Sequence, residues 1–220
     1  GRRHRNGAAL GGWLRVALAD RKATWIIAQF IIADAFIRIG GNLFVPFFNT
    51  YFVNHLGATT AWFGALRAVD RGIVVGATLL AAPLAVRFGP VVTITVTQLL
   101  SVPVLIVFGS VPTLLLASTT FLLRGTLMEM TVPLRDSFMM EVVPERVRAT
   151  ATATLSIAGQ AIAFVVLPIG GLLLERNQYA VACAIAGGLY VAGALLYWRF
   201  FCGQPQAAPQ RKVDLPALAG

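Results

Sequence analysis

Seven ionisable side chains stand near the middle of long apolar stretches of this sequence, where a charge is costly. The set consists of four arginines and three carboxylates: Arg38, Arg67, Arg71, Arg124, Asp34, Asp70 and Glu129. Groups in such a setting pair with one another, bind a charged solute or exchange a proton. The excess of one positive charge favours an anionic solute, unless residues outside this chain cancel it.

The first apolar stretch carries a polar stripe. Asp34, Arg38 and Asn42 follow at intervals of four residues, so they lie along one face of a helix, and Asn49 extends that face. Asp34 and Arg38 are one turn apart and can neutralise each other, which lowers the cost of burying both. A static ion pair and a binding face for a substrate or proton both fit this spacing. The two asparagines favour the binding face.

The second and fourth stretches carry the remaining charges. Arg67 and Arg71 are also four residues apart, and they share one anion, Asp70. Arg124 and Glu129 are five residues apart, so they point to different faces of a helix and are expected to pair with other helices.

The candidate residues for binding substrate or ion come from four of the apolar stretches. The fifth stretch has no charge at mid-depth but places Ser156 and Gln160 on one face. The full candidate set is Asp34, Arg38, Asn42, Arg67, Asp70, Arg71, Arg124, Glu129 and Gln160. No cofactor is predicted, and the only histidines, His4 and His55, form no metal-ligand cluster.

Six stretches are long and apolar enough to cross a bilayer, which takes about 20 residues per helix. They are predicted at Thr24–Val53, Ala61–Val86, Val91–Phe108, Pro112–Met139, Ala149–Leu174 and Tyr179–Phe201. The short links make successive helices antiparallel neighbours. The predicted fold is an all-α integral membrane bundle of six transmembrane helices over residues 24–201. A basic cytoplasmic linker (1–23), with either an interfacial helix or an irregular segment at Leu10–Leu18, precedes it, and a disordered cytoplasmic tail (202–220) follows.

Composition and charge placement also indicate a membrane protein. The chain is 57% hydrophobic and only 12% charged, whereas soluble domains are about 25% charged. The net charge of +9 comes from arginines and lysines that flank the apolar stretches, mostly on one side. This pattern indicates cytoplasmic termini in the plasma or inner membrane. It does not form the continuous basic groove that binds nucleic acid.

The polar content recurs every three spans. Spans one, two, four and five carry polar groups, whereas spans three and six have no charge at mid-depth and are expected to face lipid. Two three-helix repeats of inverted topology would have this order. Bends are expected at Gly40–Gly41 with Pro46, at Pro133, and at Pro168 with Gly170–Gly171, where they would serve gating or packing.

Two segments resemble signatures of the major facilitator superfamily. Ala82–Gly89 is similar to the loop signature Gly-x-Leu-Ala-Asp-Arg-x-Gly, with Ala82 in place of the glycine and Val86 in place of the aspartate. The stretch from Met130 to Ala151 is similar to the junction between the tenth and eleventh helices of many such transporters, multidrug members among them.

This resemblance implies the C-terminal six-helix half of a secondary transporter. Its expected activity is the movement of a small solute by alternating access, coupled to a proton or another ion, with drug or metabolite efflux by antiport as one form. The implied partners are the lipid bilayer, the solute, the coupling ion, and either the N-terminal six-helix half or a second copy of this chain.

Two other classes of membrane protein also have six helices. An intramembrane enzyme is not favoured, because no serine–histidine pair, metal-binding helix or aspartyl-protease motif lies within the spans. The remaining alternative is a self-sufficient six-helix protein, either a homodimeric carrier or a membrane scaffold, which would purify as a defined dimer.

Overall fold

A computed structural model describes residues 21–110 and 113–203, and almost all of them are helical. The predicted linker and the segment Leu10–Leu18 lie outside the described residues, except that residues 21–23 already belong to the first helix. The predicted tail lies outside them from residue 204. The described ranges contain no strand, and the all-α prediction is confirmed.

Seven α-helices of more than ten residues build the described part of the chain. They are α1 (Arg21–Phe44), α2 (Thr60–Phe88), α3 (Pro90–Ser110), α4 (Leu114–Glu129), α5 (Val132–Val142), α6 (Arg148–Glu175) and α7 (Tyr179–Phe201). After α1 the chain continues through a 3-10 turn at Val45–Phe47, an α turn at Phe48–Thr50 and a π turn at Tyr51–His55. Five continuous helical segments are long and apolar enough to cross a membrane: Ala23–His55, α2, α3, Glu145–Glu175 and α7.

The fourth predicted span, Pro112–Met139, is divided between two helices. Helix α4 ends at Glu129, and α5 begins at Val132 with Pro133 in its first turn. In a continuous helix the ring of Pro133 would collide with the carbonyl group of Glu129, four residues earlier, and the proline has no N–H to donate. The 16 residues of α4 and the 11 of α5 are together long enough for a span.

The other expected bends differ from one another. Pro46 lies in the 3-10 turn Val45–Phe47, where the first span leaves α-helical geometry. Pro168, in contrast, lies inside the continuous helix α6, as Pro83 lies inside α2 and Pro103 inside α3. Of the five prolines considered, two (Pro46 and Pro133) coincide with the end of an α-helix, and the other three lie inside continuous helices.

Aromatic clusters close both ends of the bundle. At one end, rings from the continuation of α1 pack edge to face on rings from α3 and α4, as Phe48 does on Phe108 and Phe121. At the other end Phe30 of α1 packs on Phe138 of α5 and Phe201 of α7. Because aromatic side chains bury large areas, these clusters hold α1 against the rest of the bundle at two depths.

Helices α3 and α7, the spans expected to face lipid, bury one side within the bundle and expose apolar side chains such as Leu100 and Leu195 on the other. Helices α3 and α7 pack against each other, and α7 also packs along α1. In the apolar windows of these spans, 56% of the residues are buried in α3 and 44% in α7. The corresponding values are 11% in α2 and 22% in Glu145–Glu175, which contains α6. Five polar residues of α3 are buried, namely Thr93, Thr95, Thr97, Gln98 and Ser101. The Thr97 and Ser101 hydroxyl groups donate to carbonyl groups of their own helix. Small hydroxyl side chains satisfied in this way let helices approach closely, so a helix without charge can pack against its neighbours on one side and still present apolar side chains on the other.

Candidate functional site

A cavity of about 320 Å³ lies between α1, α5, α6 and α7. This volume falls in the range of small-molecule sites. The polar part of its lining is Asp34, Arg38, Arg135, Asp136, Thr152 and Ser156, and the apolar part is Phe30, Ile37, Val132, Met139, Met140, Leu155 and Tyr197. The cavity therefore combines a charged wall with apolar walls.

The charged wall is built around Asp34, which is 8% exposed. Arg38 donates a hydrogen bond from Nε to Asp34 Oδ2, and Arg135 of α5 donates from Nη1 to Asp34 Oδ1 at 2.8 Å. The Arg38 guanidinium group also packs against Gly159 of α6, so closely that a Cβ added to Gly159 would stand 2.8 Å from Arg38 Nη1. One carboxylate thus joins two guanidinium groups, and the wall is assembled from three helices.

A second charged cluster lies between α2 and α4. Asp70 is fully buried, and its Oδ2 lies 3.7 Å from Arg67 Nη1 and 3.8 Å from Arg71 Nη2. Among the described residues no group hydrogen-bonds to the Asp70 carboxylate. The carboxylate fits beside Gly125 of α4, where an added Cβ would stand 2.5 Å from Oδ1. Arg71 also donates two hydrogen bonds to Glu129, one of them at 3.0 Å, so the cluster crosses between the helices.

Part of this cluster is exposed at membrane depth. The side chains of Arg67 and Arg71 are 42% and 53% exposed, and that of Glu129 is 32% exposed. Arg67 and Arg71 lie well inside the largely apolar helix α2, and Glu129 is the last residue of α4, midway along the fourth predicted span. Charged groups at such depth require water or another protein surface.

Arg124 forms no ion pair with the acidic groups of the charged wall or of the α2–α4 cluster among the described residues. Its Nη2 donates to the Tyr190 hydroxyl group of α7 at 2.5 Å, and its guanidinium carbon lies 5.6 Å from the ring centroids of Phe48 and Tyr190. The residue is 7% exposed. Arg124 therefore pairs with another helix, as its spacing from Glu129 indicated, and it joins α4 to α7 in the bundle core.

The predicted site residues do not form one site. Asp34 and Arg38 line the cavity, and the α2–α4 cluster gathers Arg67, Asp70, Arg71 and Glu129. Asn42 is half-buried and Gln160 is exposed, and neither lines the cavity, whereas Ser156 does. Sequence reasoning missed Arg135, whose position in the fourth apolar stretch was the available signal, and it missed Tyr190 and Tyr197.

Comparison with protein families gives one match to most of the chain. The family model for the Major Facilitator Superfamily matches residues 30–218. Comparison with curated proteins and with solved structures returns no match. The matched range contains the cavity and the α2–α4 cluster.

Proposed function

Because the chain belongs to the major facilitator superfamily, we propose that it forms the C-terminal six-helix half of a secondary transporter working by alternating access. The observation that carries the proposal is the exposed charge of Arg67, Arg71 and Glu129 within apolar helices. Membrane transport of a solute requires polar surface at bilayer depth. The boundary between two six-helix bundles supplies the water and the second protein surface that these groups need.

The proposed partner is an N-terminal six-helix half. In the apolar windows of α2 and of Glu145–Glu175 only 11% and 22% of the residues are buried, so much of the surface of α2 and α6 is free to contact another bundle. A second copy of the chain in a homodimeric carrier, or a scaffold of the same six helices, is the alternative. A defined dimer of a separately encoded six-helix protein would favour it.

Ion coupling is proposed to use the carboxylates Asp34 and Glu129, with a proton as the ion. Each carboxylate is hydrogen-bonded to arginine in this conformation. A rearrangement that separates a carboxylate from its arginine leaves a group that can take up a proton within the membrane. The proposal includes cytoplasmic termini, a location in the plasma or inner membrane, and efflux by antiport as one form.

The test uses the full-length protein in proteoliposomes with a pH gradient imposed in either direction. Three labelled probes of similar shape and different charge are offered: naphthalenesulfonate, naphthyltrimethylammonium and naphthyl glucoside. None of the three titrates near neutral pH, so accumulation cannot come from passive trapping of a weak acid or base. The expected result is gradient-driven accumulation of at least one probe.

The variant Glu129→Gln separates coupling from folding. We expect it to lose gradient-driven accumulation while exchange of the same probe at equal pH continues. The matched control is Glu175→Gln, since Glu175 is exposed at the end of α6, and it should leave both processes unchanged. If no probe accumulates faster than in protein-free liposomes, the proposed function is contradicted.

A further inference from the structure

We propose that the cavity between α1, α5, α6 and α7 binds an amphipathic organic anion, whose negative group replaces Asp34 at Arg135. As a statement about a transported substrate, this inference rests on the proposed function. As a statement about binding, it stands on the cavity alone.

The charged wall of the cavity has a surplus of hydrogen-bond donors. A guanidinium group has five N–H donors, and Arg38 and Arg135 each give one to Asp34. Their other donors have no hydrogen-bond acceptor among the described residues. The side chains are 39% and 21% exposed, and both line the cavity. Donors at membrane depth that lack acceptors are costly, and a bound anion would satisfy several of them at once.

The two carboxylates of the charged wall, Asp34 and Asp136, would repel a bound anion to different extents. Asp34 is neutralised by two arginines. Asp136 also lines the cavity, but it is exposed and forms no ion pair in the described part of the chain. Its charge is therefore better screened than charges held inside the cavity. Asp136 remains the group that would hold a cationic ligand instead, and the experiment uses this difference.

The rest of the cavity lining is mostly apolar. Phe30, Ile37, Leu155 and Tyr197 provide fixed aromatic and branched surfaces. Met139 and Met140 add unbranched side chains that adapt to different shapes. Such walls suit an apolar body attached to the charged group, rather than a small inorganic anion, which would leave them in contact with water.

If the anion displaces Asp34, substitutions of Asp34 and Arg135 should change anion binding in opposite directions. The carboxylate occupies the same arginines that the anion needs, so it acts as an internal competitor. Removing its charge should free donors on Arg38 and Arg135 for the ligand. Removing the Arg135 guanidinium group should leave the anion with fewer hydrogen-bond donors. The two substitutions therefore have effects of opposite sign on anion binding, whereas general damage to the cavity would weaken binding in both.

The test is a fluorescence titration of naphthalenesulfonate on the purified full-length protein. We expect Arg135→Gln to raise the Kd about tenfold or more, the effect of losing charge-assisted hydrogen bonds. Asp34→Asn should lower the Kd. The control Arg176→Gln changes an arginine in the turn between α6 and α7, outside the cavity, and should leave the Kd unchanged.

Two results would overturn the inference. One is weaker naphthalenesulfonate binding in both Arg135→Gln and Asp34→Asn. The other is tighter binding of naphthyltrimethylammonium than of naphthalenesulfonate, together with loss of naphthyltrimethylammonium binding in the Asp136→Asn variant. If the cation is also transported, the second result would leave the proposed function standing. Binding of the anion without accumulation of any probe would leave the site standing and contradict the proposed function.

Discussion

The contact between Asp70 and Gly125 shows how one missing side chain makes room for a buried charge. A methyl group at position 125 would stand 2.5 Å from Asp70 Oδ1, well inside van der Waals contact. We expect Gly125→Ala to lower the free energy of unfolding by about 1–3 kcal/mol, the usual cost of overpacking. The measurement is thermal unfolding of the full-length protein in detergent.

A double-mutant cycle identifies the source of that cost. In an Asp70→Ala background the same glycine substitution should cost much less, because the carboxylate that it meets is gone. Gly188→Ala is the control, since an added Cβ at Gly188 of α7 meets no atom within 4 Å. An equal loss from Gly125→Ala with and without Asp70 would show that some other contact is responsible.

Charge pairs within one helix could be predicted from the sequence, and pairs between helices could not. The spacing of Asp34 and Arg38 is sufficient to bring them together on one face. The second partner of Asp34 is Arg135, 101 positions away. That pairing depends on the rotation and depth of two separate helices, which hydropathy does not specify. For the same reason the partners of Arg124 and Glu129 were expected on other helices but could not be named.

At the scale of helices, adjacent glycines of α6 have different roles. An added Cβ at Gly170 would overlap the Leu43 carbonyl oxygen of α1, whereas one at Gly171 would meet only the Phe47 ring, at 3.7 Å. Backbone cannot move aside as a side chain does. We therefore expect Gly170→Ala to lower the melting temperature clearly and Gly171→Ala to change it little. Thermal unfolding of the two variants makes the comparison, and equal shifts would show that α1 and α6 do not approach as closely as described.

Hydropathy predicts the length of helices better than their continuity or surroundings. It places α7 over the same residues, Tyr179–Phe201, that the structure shows. It does not reveal the interruption at Met130–Thr131, because a proline interrupts only some helices and Pro83, Pro103 and Pro168 are all tolerated. It also does not indicate how closely α3 packs within the bundle, where the Thr97 and Ser101 hydroxyl groups bond to carbonyl groups of the same helix. Local sequence therefore predicts where a helix can form, whereas contacts with neighbouring helices decide whether it is continuous and how much of it is buried.

At the scale of the whole molecule, the two charged groups lie at different depths along the helices. In the predicted orientation, Asp34 and Arg135 are closer to the cytoplasmic ends of their spans, and Arg67 and Asp70 are closer to the external end of α2. Helices α4 and α5 connect them, since Glu129 pairs with α2 and Arg135 with α1. The break between Glu129 and Arg135 therefore separates two anchored parts of one predicted span.

The orientation of the whole bundle can be tested with the protein's own cysteines. Cys183 is buried and Cys202 is exposed at the end of α7, on the side where Arg87, Arg146 and Arg199 also lie. Because basic residues flank spans on the cytoplasmic side, we expect a membrane-impermeant maleimide to label Cys202 in inside-out vesicles and not in intact cells. The background is full-length protein with its other cysteines replaced.

The matched control is Asn177→Cys, in the same background but without Cys202. Asn177 lies in the turn before α7, and the 23 residues of α7 span about 35 Å, more than the roughly 30 Å of a bilayer core. The two positions should therefore react from opposite sides, Asn177→Cys in intact cells and Cys202 in inside-out vesicles. Labelling of both from one side would mean that α7 does not cross the membrane, and exchange of the two patterns would place the termini outside the cell.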